Sequence, residues 1–243
     1  MPRCQRTFRR LPSESASGAQ GRRWVCPFCE SGEVYELVDA PELLEYADFA
    51  RTQLTEDFGK PPDAARPTRL LHGLRPECVL EPSENCYDLY LFRDADTLQA
   101  RLQIGHEMFH RIGSRGRIFD WTHEMLACVA SVRLLDRRGF AEYAAVMRAA
   151  YRRDAESVSL SALLDADLTR PGEVAALGAG LYGRAFVTGV ALTDTVGWPA
   201  LCRLARPTGR RGLPDLAAWA ASLPENSRPS TRDILGITSG RQR

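Results

Sequence analysis

Residues 87–112 read YDLYLFRDADTLQARLQIGHEMFHRI, and the change of period inside this stretch sets the architecture. Tyr87 to Phe92 has the aromatic enrichment and the length of a β-strand. Beyond Asp94 and Asp96, either of which suits a helix N-cap, apolar residues recur at spacings of three and four. Leu98, Leu102, Gly105, Phe109 and Ile112 then form one stripe of a helix expected over 97–112. His106-Glu107-Met108-Phe109-His110, an HExxH pattern, lies within it. Two histidines four apart on a helix are separated by about 40° around the axis, so both imidazoles reach one ion, the geometry zinc requires. Glu107 stands about 60° from His110, near enough to meet a water there as a general base without being a ligand. The plainer alternative is two half-exposed histidines on an ordinary amphipathic helix.

Outward from this stretch, the C-terminal side continues helical. Helices are expected over 121–137, 140–152 and 174–192, with shorter apolar pieces at 196–205 and 214–222. On the N-terminal side, residues 33–59 read as a strand fragment leading into a helix that Pro41 opens and Gly59 ends. The prolines between 60 and 86 leave room only for short strands around Leu70-Leu71 and Cys78-Val79-Leu80. A few strands followed by a helical half give an α+β class. The expected organisation is a flexible Arg/Ser-rich extension over 1–32 carrying a CPFC segment, a compact domain over 33–223 and a polar tail over 224–243.

A catalytic zinc takes three protein ligands. In the longer HExxHxxGxxH pattern Gly113 matches the glycine, but Gly116 stands where the third histidine belongs. The helix expected at 121 opens Trp121-Thr122-His123-Glu124-Met125-Leu126-Ala127 and supplies two rivals, Glu124 and His123. As neighbours they cannot point the same way. Glu124 borders a stripe of Trp121, Met125, Cys128, Val129, Val132 and Leu135, where a lone carboxylate is costly and metal coordination would satisfy it. Its other reading is a solvent-facing acid favoured by the helix dipole. Ala127, Cys128 and Ser131 beside it would let this helix pack closely on the HExxH helix, and Gly105 would tolerate such an approach.

WTHEMLA resembles the W-x-x-E-x-x-A segment of gluzincins, such as the aminopeptidase N-like family and, more loosely, thermolysin. The resemblance covers chiefly residues 97–132. It implies a zincin-like metallopeptidase architecture with His106, His110 and Glu124 on Zn2+ and Glu107 as base. The thirteen residues between His110 and Glu124 are fewer than in the aminopeptidases. Leu181-Tyr182-Gly183-Arg184-Ala185 resembles the Y-x-x-G/A helix of the same families, which implies that Tyr182 steadies an oxyanion. A tyrosine packing its ring and wetting its hydroxyl is the ordinary alternative. No GxMEN strand is found, so an exopeptidase lacks support.

The expected function is therefore zinc-dependent hydrolysis of a peptide or protein substrate, with an extended peptide held on an edge strand near Tyr87 to Phe92. A non-catalytic regulatory or interaction protein that keeps a peptidase-like zinc fold is the alternative.

Other signals are weaker. Cys26 and Cys29 make half of a zinc site, and an incidental pair, a small zinc ribbon or a redox pair remain open. Cys128 and Cys202 read as core residues, and His72 is isolated. The 243 residues carry 32 basic and 31 acidic side chains, a formal charge of +1. That balance argues against a global grip on nucleic acid or acidic membranes. An odd, scattered seven cysteines, no secretory signal pattern and no long uninterrupted apolar run lead to the expectation of a cytoplasmic protein without a membrane span.

Overall fold

The computed structural model describes residues 9–10, 21–25, 32–61, 65–73, 76–81, 85–113, 120–168, 170–206 and 214–237. Strands β1 (Arg9–Arg10), β2 (Gly21–Val25) and β3 (Gly32–Leu37) precede helix α1 (Pro41–Phe58). Strands β4 (Thr68–Gly73), β5 (Glu77–Glu81) and β6 (Cys86–Phe92) follow. Among the described residues beyond these, the regular elements are helices: α2 (Thr97–Gly113), α3 (Trp121–Arg137), α4 (Ala141–Ala155), α5 (Leu160–Asp165), α6 (Pro171–Val196), α7 (Trp198–Cys202), α8 (Leu216–Ala221) and α9 (Arg228–Ile234). The class is α+β, as expected.

One six-stranded sheet runs in the order β1-β2-β3-β4-β6-β5. Strand β6 pairs parallel with β4 and antiparallel with β5, so the strand over Tyr87 to Phe92 is interior. That corrects its assignment as an edge: its neighbours occupy both sides, and β5 is the edge instead. Strand period reveals alternation but not lateral order, which is why the sequence alone misplaced it.

Helix α2 is fixed against the sheet at both ends. Asp96, rather than Asp94, caps it by accepting from Gln99 N at 2.8 Å. Gln103 Oε1 accepts from Phe92 N at 2.9 Å. Near the other end, the buried Arg111 donates to the Thr68 hydroxyl and to the Arg66 carbonyl, and its guanidinium lies 5.0 Å from the Tyr87 ring centroid. The site-bearing helix is thereby held over β4 and β6.

Helix α3 is the centre of the core. It packs on α2, α4 and α6, and all of Trp121 to Val132 is buried. A single apolar stripe was too narrow an expectation, because a helix enclosed on several sides buries nearly its whole circumference. Gly105 and Ser131 mark the closest approach of α2 to α3: a Cβ on Gly105 would stand 3.1 Å from Ser131 Cα. Of the small residues expected at this contact, Ser131 is the one that meets Gly105.

Three boundaries differ from expectation. Strands β1 and β2 pair within the stretch expected to be an extension, and Cys26 and Cys29 lie outside the described residues. Residues 224–237 hold a 3₁₀ turn and α9, with Thr231 and Leu235 buried, rather than a polar tail. Helix α6 is longer than expected and is kinked at Gly178, whose φ of 52° and ψ of −140° suit glycine. Over Gly172–Val196 it has a window of mean hydropathy 1.3, long and apolar enough by composition to cross a membrane. Counting uninterrupted apolar runs passed over this stretch because Gly, Thr and Arg184 punctuate it. In the fold α6 packs along α3 and α4.

Candidate metal centre

The first turn of α3 is built to present Glu124. Asp120 is the N-cap, its side chain accepting from Thr122 N at 2.7 Å and His123 N at 3.2 Å. His123 completes a reciprocal capping box, its Nδ1 accepting from Asp120 N at 3.4 Å. That contact takes His123 away from the other histidines. Glu124, one residue on, turns toward α2.

His106 and His110 from α2 converge on it. Their Nε2 atoms are 3.1 Å apart, His106 Nε2 is 3.1 Å from Glu124 Oε2, and His110 Nε2 is 3.4 Å from Glu124 Oε1. Ligands about 2.0–2.1 Å from a tetrahedral zinc stand roughly 3.3 Å from one another, so these separations match the edges of a zinc tetrahedron. The donor set, two imidazoles and a carboxylate, is also one that zinc accepts. Glu124 Oε2 is sealed from solvent and has no hydrogen-bond partner in good geometry, which an ion would satisfy. The residues present thus fit the metal.

Charges in the cluster reinforce one another. Burial pushes the Glu124 carboxyl up, but His106 and then His110 outweigh it and hold the group well below the usual carboxylate range. Burial lowers the His106 imidazolium, and Glu124 more than reverses this, leaving it well above its ordinary value. Glu107 is buried, and that burial raises its carboxyl against the opposing pull of His106 and His110. Its electrostatic surroundings include Glu124 and Glu77, while Cys78 of β5 in turn feels Glu107. The base candidate therefore lies between the histidine pair and the edge strand.

Tyr182 of α6 borders the same cluster, its ring centroid 6.1 Å from that of His106 at 63°. It is 36% exposed, at the boundary between the cluster and solvent. All five candidates, His106, Glu107, His110, Glu124 and Tyr182, come together from three helices.

Two further residues border the cluster. Cys128, taken as plain core, has its sulfur 3.9 Å from His106 Nδ1 and groups with His106 and Glu124 as a possible donor set. Its spacing of four from Glu124 was the available signal. Tyr151 of α4 lies near enough to Cys128 for each to shift the other's ionisation, a proximity no local pattern announces. Arg184, beside Tyr182, donates to the Ala155 and Val158 carbonyls at 2.7 Å each, tying α6 to the end of α4.

No protein-family model, curated protein or solved structure matches the chain.

Proposed function

We propose that the protein is a zinc-dependent peptidase of gluzincin-like, zincin-like architecture. The observation that carries this reading is the convergence of His106, His110 and Glu124 at tetrahedral-edge distances beside a buried Glu107. Zinc held by those three residues supplies Lewis-acid polarisation of the scissile carbonyl and a more acidic water.

The remaining work belongs to the chain. Glu107, with its carboxyl raised by burial, accepts a proton from the attacking water and returns it to the leaving amine. A base whose pKa is moved toward neutrality suits both steps. Tyr182 donates a hydrogen bond to the carbonyl oxygen as negative charge builds, an interaction that strengthens only in the transition state. Edge strand β5 adds an extended peptide by main-chain pairing, and its exposed Val79 and Leu80 offer apolar contacts along it.

The test is hydrolysis of a diverse peptide library by zinc-loaded wild type and Glu107→Gln. Cleavage by wild type that falls at least 100-fold in the variant, with zinc retained, is expected. Cleavage undiminished in Glu107→Gln contradicts the mechanism. Stoichiometric zinc without cleavage by wild type favours the non-catalytic alternative.

A further inference from the structure

We infer that Cys128 and Tyr151 form an outer sphere that orients His106, the Cys128 sulfur taking the Nδ1 side of the imidazole and the Tyr151 hydroxyl fixing the sulfur. This rests on the reading above that His106 meets the metal through Nε2. An imidazole ligand works only if its other nitrogen is held, because that bond sets both the tautomer and the plane of the ring.

The geometry divides the ring between two residues of one helix. Nε2 faces Glu124 and His110, each at 3.1 Å, whereas Nδ1 faces the Cys128 sulfur at 3.9 Å. Glu124 and Cys128 are one turn apart on α3, so a single helix face supplies the carboxylate at one nitrogen and the sulfur at the other. Sulfur approaches from the far nitrogen, which assigns Cys128 to holding the ring rather than to binding the ion.

Thiol sulfur is a weak acceptor, and a second contact is needed to keep it in place. That contact is assigned to the hydroxyl of Tyr151, which is electrostatically coupled to the Cys128 thiol. The tyrosine is itself immobilised: its ring stacks on Phe186 of α6 with centroids 4.7 Å apart at 26°. Gly183 lets α6 come close enough for this, since a Cβ there would stand 2.6 Å from the Tyr151 carbonyl oxygen. Cys128 is fully buried, so water does not compete for the bond. Tyr151 and Cys128 are positioning residues, acting on the metal through His106.

The test combines zinc affinity with a metal-free readout. Competition against a fluorescent zinc chelator is expected to show affinity lowered about 10–100-fold in Cys128→Ala and measurably in Tyr151→Phe. The double variant is expected to be no weaker than Cys128→Ala, because the tyrosine acts through the thiol. Cys128→Ser, which retains a small acceptor, recovers part of the affinity. Cys202→Ala, which removes another buried thiol, leaves affinity unchanged. In metal-free protein labelled with ¹⁵N-histidine, His106 is expected to give an exchange-protected Hδ1 resonance that is lost in Cys128→Ala and shifted in Tyr151→Phe. An unchanged Hδ1 resonance in both variants overturns the inference, as does a cobalt–thiolate charge-transfer band in the cobalt-loaded wild type, which would make Cys128 a ligand. Wild type that binds no zinc defeats the peptidase reading instead, and the Hδ1 resonance still decides the role of Cys128.

Discussion

At the scale of single residues, the position of Glu124 depends on a neighbour that touches no metal. Asp120 accepts two backbone N–H groups at the start of α3, and these hold the turn from which Glu124 projects. Removing an N-cap carboxylate costs about 1 kcal/mol. Asp120→Ala is therefore expected to lower stability to urea by about that amount and to weaken zinc binding, since the first turn then frays with the ligand on it. Loss of stability with unchanged zinc affinity would separate the cap from the site. His106, Glu107 and His110 were legible at this scale because their chemistry is local to one helical turn. Preferring Glu124 to His123 rested on the W-x-x-E-x-x-A resemblance rather than on spacing, because both lie in the first turn of one helix; the capping contact of His123 and the approach of Glu124 to the histidine pair appear only in the fold. Cys128 is buried in the core as its apolar face indicated, but its approach to His106 was hidden while the neighbouring helix was out of view.

Between elements, the cluster exists because α2, α3 and α6 approach closely, and small residues sit where they do. A Cβ on Gly183 would lie 2.5 Å from Ala155 N and 2.6 Å from the Tyr151 carbonyl oxygen, both backbone atoms of α4 that cannot swing aside. The favourable helix propensity of alanine, about 1 kcal/mol over glycine, is smaller than the overpacking cost of about 1–3 kcal/mol or more. Gly183→Ala is accordingly expected to destabilise by about 1–2 kcal/mol in urea unfolding, and a neutral or stabilising result would contradict the packing of α6 on α4. Element identity was readable along most of the chain: α1, α2, α3 and the strand at 86–92 follow their apolar periods. Helix α9 was not, because its buried contacts reduce to Thr231 and Leu235 among Ser, Pro and Arg. The place of β6 inside the sheet was also hidden, since lateral strand order depends on partners distant in sequence.

Across the whole molecule, a nearly neutral chain folds a six-stranded sheet and a set of helices so that one buried carboxylate faces two imidazoles. Burying Glu124 among them is costly unless the charge is compensated; the histidines provide compensation, and the proposed zinc would add to it. The small net charge leaves little long-range field to attract or repel a peptide, so under the proposed peptidase function selection would rest on β5 and on the groups around Tyr182. The central claim is the identity of the three ligands, and zinc content per chain tests it most directly. Wild type, Glu124→Ala and His123→Gln should be purified in parallel, the last because glutamine at that position can still complete the capping box. Zinc close to stoichiometric in wild type and in His123→Gln, and lost from Glu124→Ala, is the expected result; zinc absent from wild type, retained in Glu124→Ala or lost from His123→Gln would contradict it.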